Sequence, residues 1–294
     1  MKGVCFKASS GYLSNGGACH FKPSSAYRIA GRLRTLGILI THDMRKLIFP
    51  LLLVAAMNSF SSERITFQSA TNRTPLLELY TSEGCSSCPP AEEWLSRLKS
   101  SARLWQDFVP VAFHVDYWDY LGWRDPFGAP GYSERQRDYA AEWKSRSVYT
   151  PGFVLDGQEW RGWYGQDELS RVFAPPTGIL TAGSDDGKRW FLRFQPVAEN
   201  SSTVTFHVAL LGFDLDSDVK AGENRGRRLR HDFVVLALAT ATSTTTGASL
   251  QAEMPFMFPS RPLPKRLAVA IWVTRRGDLP SLQAVGGWLP ASNH

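Results

Sequence analysis

Two cysteines separated by two serines are the residues whose types and spacing are best suited to chemistry. Cys85 and Cys88 stand in the run Glu-Gly-Cys-Ser-Ser-Cys-Pro-Pro, between a predicted strand and a predicted helix. Cysteines three positions apart can close a small disulfide ring, and the start of a helix lowers the pKa of a nearby thiol. A thiolate attacks a substrate disulfide, and a second cysteine resolves the product. The spacing predicts thiol–disulfide exchange. It does not decide which sulfur attacks, and by analogy with similar sites we expect the N-terminal and more exposed Cys85 to be the attacking residue.

Two other interpretations of the cysteine pair stay open. The pair could form a structural disulfide in an exported, non-catalytic module that binds a protein or glycan. It could also join His114, on a predicted strand, in holding copper(I), which favours thiolate and imidazole ligands. The second alternative would make the chain a periplasmic copper(I)-handling protein.

The elements that must position these residues alternate in the first part of the chain. Apolar runs predict strands at 76–80, 109–115 and 153–155, and helical spacing predicts helices at 91–104, 133–147 and 166–173. A capping-box pattern at Ser133 favours the second helix. Beyond residue 178 period-two alternation replaces helical spacing and predicts strands at 190–194, 203–211, 233–240 and 267–274.

This change of pattern predicts two domains. We expect an α/β domain at 63–176 and an all-β sandwich-like domain at 177–294. Aromatic residues crowd the segment 117–127, which follows the second predicted strand. They would form either a wall beside the cysteines that selects substrate or a plug against the β domain. Asp116, Asp119 and Asp125 in and beside this segment would cap turns or hold a cation.

Several segments together resemble a secreted bacterial thioredoxin-like family known only as a domain of unknown function, of the DUF1223 type. The resembling residues are 78–91, 114–127, 148–151, 222–227 and 282–288. The resemblance implies an α/β thioredoxin-like domain, in the thioredoxin superfamily, followed by the sandwich-like domain. In such a fold a cis proline packs against the disulfide, which implies that Thr150 and Pro151 shape the groove for a bound peptide. The resemblance implies a site formed by Cys85, Cys88, Thr150 and Pro151. Such a site uses no cofactor and needs a protein thiol or disulfide substrate and a redox partner.

One departure from thioredoxins concerns proton transfer. They place a buried aspartate six residues before the first cysteine, where this chain has Leu79, and Glu78 lies one residue away. One residue along a strand moves a side chain to the opposite face. Proton handling of the thioredoxin type is therefore not expected from Glu78.

Charge and hydropathy identify the N-terminal segment as an export signal. The chain of 294 residues has a formal charge of +6, but residues 63–294 hold 25 basic and 26 acidic residues, a net charge of −1. A nearly neutral body argues against nucleic-acid binding. Residues 44–62 join a short basic region, an apolar run and a polar tail, as a signal peptide does, and the run is too short to be a membrane anchor. We interpret residues 1–43 as upstream sequence before a start at Met44, and expect a secreted or periplasmic protein.

Overall fold

The computed structural model describes residues 64–166, 168–170, 174–198, 203–246, 248–260 and 262–290. The described residues all fall within one compact unit, Phe60–His294. The segments predicted as upstream sequence, 1–43, and as signal peptide, 44–62, lie outside the described residues. No helix within the described ranges combines the length and the apolar character needed to cross a membrane.

Strands dominate the described residues. In chain order the first eight are β1 Ile65–Gln68, β2 Leu76–Thr81, β3 Val109–His114, β4 Gly152–Leu155, β5 Gln158–Glu159, β6 Gly178–Ser184, β7 Arg189–Pro196 and β8 Val204–Gly212. The remaining seven are β9 Leu215–Asp218, β10 Arg228–His231, β11 Val234–Thr242, β12 Thr244–Thr246, β13 Ser249–Pro255, β14 Leu267–Arg275 and β15 Ser281–Trp288. The two α-helices of the described residues are α1 Pro89–Arg97 and α2 Pro130–Glu142.

The strands form one large mixed sheet, one antiparallel sheet and a two-stranded ribbon. The large sheet has eight strands in the order β15-β14-β8-β11-β3-β2-β4-β5. The antiparallel sheet has the order β1-β6-β7-β13-β12, and β9 pairs with β10 in the ribbon. In the large sheet β3 runs parallel to β2 on one side and to β11 on the other, where Val234 stands opposite Ala112. Strands from both sides of residue 176 therefore share this sheet.

This topology corrects the expected fold class. An α/β thioredoxin-like domain followed by an all-β sandwich-like domain is wrong, because the described residues contain only two α-helices and one mixed sheet takes strands from both halves of the chain. All six residues of β3 are buried, so its second edge needs a partner, and β11 supplies it. The predicted helix at 166–173 does not form at residues 166 and 168–170, which are irregular. Residues 167 and 171–173 lie outside the described residues.

The other predicted elements occur close to their expected positions, with different ends. The first predicted helix is shorter and becomes a 3-10 turn at Leu98–Ser100. The second begins at Pro130, after Ala129, because a proline is well suited to a first helical turn. Ser133 therefore does not cap the helix; its hydroxyl donates to the Asp116 carboxylate at 2.5 Å.

The two helices cover opposite faces of the large sheet beside β2. Glu78 pairs with Arg135 of α2, whereas the hydroxyl of Thr81 donates to Glu92 of α1. Alternate residues of a strand point to opposite faces, and residues 78 and 81 differ by an odd number. Both faces of β2 are therefore buried, and α1 lies on the face of Thr81. The loop before α1 carries the cysteines.

Candidate functional site

The cysteine loop follows β2 and leads directly into α1. Cys88 is the N-cap of α1, and Cys85 lies in the preceding turn. The amide of Cys88 donates to the carbonyl of Cys85 at 3.3 Å, and the amide of Ala91 donates to the carbonyl of Cys88 at 2.9 Å. The loop is thus a tight turn that fixes both cysteines at the start of the helix.

Both cysteines are free thiols and both are buried. Cys85 is 1% exposed and Cys88 is fully buried, so Cys85 is the more exposed of the two by a small margin and neither residue is open to solvent. Asn224, from the loop between β9 and β10, donates from its side-chain amide to the carbonyls of Glu83 at 2.9 Å and Cys85 at 2.8 Å. A residue 139 positions further along the chain therefore holds the loop closed.

The sulfur of Cys85 lies among hydrogen-bonding groups. It is 3.2 Å from the hydroxyl oxygen of Ser87 and 3.7 Å from the carbonyl oxygen of Thr150. Hydrogen bonding to Cys88 lowers the pKa of the Cys85 thiol, burial raises it, and hydrogen bonds with Ser87 and Thr150 lower it further, so that the pKa is about 6. A hydrogen bond to the charged form of a group favours that form.

Cys88 has the opposite character. Burial raises the pKa of the Cys88 thiol, and the hydrogen bond to Cys85 and the nearby carboxylate of Glu92 raise it further. The loop therefore presents one thiol that ionises easily and one that keeps its proton. This asymmetry separates an attacking sulfur from a resolving one.

The predicted residues Thr150 and Pro151 lie beside the cysteine loop. They directly precede β4, and the peptide bond between them is cis. The carbonyl of Thr150 is the group near Cys85, and its hydroxyl accepts a 2.8 Å hydrogen bond from the indole of Trp118. A groove of about 670 Å³ is lined by Tyr149 and Gly152, which flank this pair in the chain, but its lining includes neither Thr150, Pro151 nor either cysteine.

The aromatic segment 117–127 packs around the loop rather than standing apart from it. A β-carbon on residue 84 would lie 2.8 Å from the Cβ of Trp118, so glycine at this position allows the close approach. The indole of Trp123 donates to the Glu83 carboxylate at 2.6 Å. Tyr120, by contrast, is 78% exposed. The segment thus covers the cysteine loop through its tryptophans and exposes one tyrosine.

A group of buried ionisable residues lies next to the loop. The Nδ1 atom of His114 is 2.8 Å from Oδ2 of Asp125, and Nδ1 of His231 pairs with Glu92. Nε2 of His231 is 3.2 Å from Oε1 of Glu83. Burial lowers the pKa of His231, but the negative charges of Glu92 and Glu83 outweigh it and raise the pKa to about 10. Burial raises the pKa values of Glu92 and Asp125, and the adjacent histidines reverse this and lower them.

These buried residues were mostly missed in the sequence. Glu92 and His231 carry no motif and are 139 positions apart, and Asn224 stands out only as part of the resembling segment 222–227. For Glu92 one signal was available, since it follows Cys88 by one helical turn and so lies on the same helix face. Glu78 faces α2, where it contacts Arg135 and Tyr139, as expected from its displacement relative to the cysteine.

The proposed copper(I) ligands do not form a three-residue group in the described residues. Three side chains there bring ligand atoms within 4.8 Å of one another, namely Glu92, His114 and His231. His114 thus meets a carboxylate and a second imidazole instead of the two cysteines. Asp116 and Asp125 bind Ser133 and His114, and Asp119 accepts from the amide of Asp125 at 3.1 Å, so these carboxylates serve internal contacts.

Comparison with known proteins assigns the family. A family described as a protein of unknown function (DUF1223) matches residues 76–274, more than half of the chain, and the chain belongs to this family. No curated protein matches the chain. Membership of the thioredoxin superfamily stays a prediction.

Two solved structures are similar to the chain. Protein AGR_C_4864 from Agrobacterium tumefaciens is 21% identical, with a TM-score of 0.51, and the match covers 77% of this chain and 98% of that one. HBP35 of Porphyromonas gingivalis is 11% identical, with a TM-score of 0.47, and the match covers 77% of this chain and 80% of that one. The first likeness concerns the fold alone, and the second is too weak to support an argument.

Proposed function

We propose that the protein is an exported thiol–disulfide oxidoreductase in which Cys85 attacks and Cys88 resolves. The contrast between the two thiols is the observation that carries the proposal. The pKa of Cys85 is about 6, with its sulfur 3.2 Å from the Ser87 hydroxyl, while the pKa of buried Cys88 is raised. A structural disulfide needs no such difference between its two sulfurs.

The reaction is an exchange of disulfide bonds. The Cys85 thiolate forms a bond to one sulfur of a substrate disulfide, and the other substrate sulfur leaves as a thiolate. Cys88 then gives up its proton to the departing thiolate or to solvent and attacks Cys85. The bond between Cys85 and the substrate breaks, so that the substrate is reduced and the protein pair is oxidised by two electrons. A redox partner restores the dithiol, and the reverse sequence oxidises a substrate dithiol.

The groove next to Thr150 and Pro151 is where we place the substrate. The Thr150 carbonyl, 3.7 Å from the Cys85 sulfur, is an acceptor for a backbone amide of an extended peptide. Ser86 and Ser87 are exposed, whereas Cys85 is 1% exposed, and Trp118 and Asn224 contact the backbone of its loop. A substrate therefore reaches the sulfur only when residues around Cys85 move.

The export part of the proposal rests on the predicted signal peptide at 44–62. An oxidising compartment suits a reversible disulfide. The redox part depends on the geometry of the cysteine loop, and membership of the thioredoxin superfamily is not required for it.

The reduction potential of the Cys85–Cys88 pair tests the redox part. The full chain is equilibrated in glutathione buffers, alkylated, and digested with trypsin, and the peptide 74–97, which contains both cysteines, is quantified by mass spectrometry. We expect a potential between about −120 and −270 mV, the range of known redox catalysts. A potential below about −300 mV would identify a structural disulfide and support the binding-module alternative.

A trapping experiment separates the roles of the two sulfurs. Cys88→Ser retains the attacking thiol and lacks the resolving one, so it should accumulate mixed disulfides with a disulfide-containing peptide. Cys85→Ser is the matched control and should accumulate far fewer, because its remaining thiol is buried and keeps its proton. Equal trapping by both variants would contradict the assignment of roles.

A further inference from the structure

Three buried side chains from three different elements meet next to the cysteine loop. His114 ends β3, His231 ends β10, and Glu92 lies in the first turns of α1. One ligand atom from each lies within 4.8 Å of the other two, and all three residues are buried. Two imidazoles and a carboxylate are a donor set that suits divalent transition metals.

The hydrogen bonding of His114 leaves one nitrogen directed into this group. Its Nδ1 is paired with Asp125 at 2.8 Å, and its Nε2 is buried with no hydrogen-bond partner. The side chain of His114 has no exposed surface. An imidazole that donates one N–H to a carboxylate offers the lone pair of its other nitrogen, which is how zinc-binding histidines are commonly oriented. A buried polar atom without a partner needs an explanation, and a bound cation supplies one.

The charges around the three candidate ligands also favour a bound cation. Glu83, Glu92 and Asp125 contribute three buried carboxylates, and their salt bridges among the described residues are with His114 and His231. A metal binds imidazole only in its neutral form, so the cation would replace any proton on His231 as the positive charge that faces the three carboxylates. A buried uncompensated charge is costly, and a divalent cation would offset it.

We propose that Glu92, His114 and His231 bind one divalent transition-metal ion of the zinc type. The ion joins α1 to β3 and β10, and so fixes the helix that begins at Cys88. Asp125 acts as a positioning residue by orienting His114. Zinc lies about 2.0–2.2 Å from nitrogen and oxygen ligands, so the three side chains draw together on binding. The site goes beyond the proposed redox function and does not involve either thiol.

Zinc binding to the full chain tests the proposal. Protein stripped with a chelator is dialysed against zinc chloride, and the metal content and melting temperature are measured. We expect one zinc per chain and a rise in melting temperature on the order of 5 °C, because a ligand of the folded state stabilises that state. The double variant Cys85→Ser/Cys88→Ser should bind zinc equally, which separates this outcome from any failure of the redox proposal. No bound zinc and an unchanged melting temperature would overturn the proposal, as would loss of zinc in the double variant.

A pair of histidine variants, one in the proposed zinc site and one outside it, tests where zinc binds. His114→Gln should weaken zinc binding at least about 100-fold, whereas His207→Gln, at a histidine stacked on Trp272, should leave it unchanged. Equal effects of the two changes would overturn the assignment. Asp125→Asn gives a second test if His114→Gln does not fold. It keeps a side chain beside His114 and should weaken zinc binding about 10-fold or more, and unchanged affinity in this variant would contradict the positioning role.

Discussion

The indole nitrogen of Trp118 donates a 2.8 Å hydrogen bond to the hydroxyl of Thr150. This contact joins the aromatic segment to the residue before Pro151, whose carbonyl oxygen is 3.7 Å from the Cys85 sulfur. Trp118 also packs against Gly84 of the cysteine loop. We therefore expect the reactivity of Cys85 to depend on the contacts that Trp118 makes with Thr150 and Gly84.

Trp118→Phe should make Cys85 more reactive. The change keeps an aromatic ring and removes the hydrogen bond, which contributes about 1 kcal/mol, so we expect alkylation of Cys85 by iodoacetamide to be about fivefold faster. Stopped-time alkylation followed by mass spectrometry measures this rate. Tyr120→Phe, at an exposed residue of the same segment, is the control and should not change it. An unaltered rate in Trp118→Phe would mean that another element limits access.

Alkylation of reduced protein should report the lowered pKa of Cys85. Since the thiolate is the reactive form, the rate should rise with pH and reach half its maximum near pH 6. Ser87→Ala removes a hydroxyl 3.2 Å from the sulfur and should raise this midpoint by about one pH unit. Ser86→Ala is the control, because the Ser86 hydroxyl donates to Glu223 at 2.7 Å instead. A wild-type midpoint near 9 would contradict the proposed attacking role.

The same ionisation predicts how the stability of the reduced protein changes with pH. The pKa of Cys85 is lower in the folded protein than in the unfolded chain, so unfolding takes up a proton between about pH 6 and pH 9. The stabilisation by Cys85 is present above this window and is lost as the pH falls to about 6. Urea unfolding of reduced wild type and Cys85→Ser at pH 5.5 and pH 8 measures it. The free energy of unfolding of wild type should exceed that of Cys85→Ser by more at pH 8 than at pH 5.5. An equal difference at the two pH values would contradict the coupling of Cys85 ionisation to folding.

Asn224→Ala should loosen the cysteine loop. Asn224 is fully buried and donates to two carbonyls of that loop, and its removal leaves both acceptors without this donor. We expect a loss of about 2 kcal/mol in the free energy of unfolding, measured in urea. Arg225→Ala, at the exposed neighbouring residue, should change it by less than about 0.5 kcal/mol. A similar effect of both changes would mean that the loop does not depend on Asn224.

Glu78→Gln should lower the free energy of unfolding more than Asn224→Ala does, because it leaves the buried charge of Arg135 without its partner. Two nitrogens of Arg135 donate to the Glu78 carboxylate at 2.7 and 3.0 Å, and both side chains are largely buried. Removing one partner of a buried pair typically destabilises by about 3–5 kcal/mol. Glu253→Gln, which breaks the exposed pair with Arg189, is the control and should cost less than about 1 kcal/mol. Comparable losses in urea unfolding would show that the Glu78–Arg135 pair is not the source of the stability.

Local patterns in the sequence predicted local structure well. Period-two alternation located β8, β11 and β14 within about one residue at most ends, because inward and outward side chains alternate along a strand. The resemblance to a thioredoxin-like family implied that Thr150 and Pro151 lie beside the cysteines, and the carbonyl oxygen of Thr150 is 3.7 Å from the Cys85 sulfur. The strands depend on neighbours in the chain, whereas the contact of Thr150 with Cys85 joins residues 65 positions apart.

Long-range pairing could not be predicted in the same way. An alternating segment has suitable faces but does not specify its partner strand, so the pairing of β3 with β11 and the shared mixed sheet were missed. The contact of the cysteine loop with Asn224 and that of Glu92 with His231 join distant parts of the chain. The resemblance of segment 222–227 did not indicate what it contacts, and His231 carries no motif. Loop placement over such distances is a property of the whole fold.

The contact of Asn224 with the cysteine loop has a consequence for the newly made chain. Asn224 follows Cys85 by 139 residues, so both cysteines leave the ribosome well before Asn224, which contacts their loop in the folded protein. Contacts of such long sequence separation form slowly, because the intervening chain must first be ordered. During this interval Cys85 and Cys88 are expected to be open to solvent and to small oxidants. Oxidation of the pair by added diamide should therefore be faster early in refolding than in the finished protein.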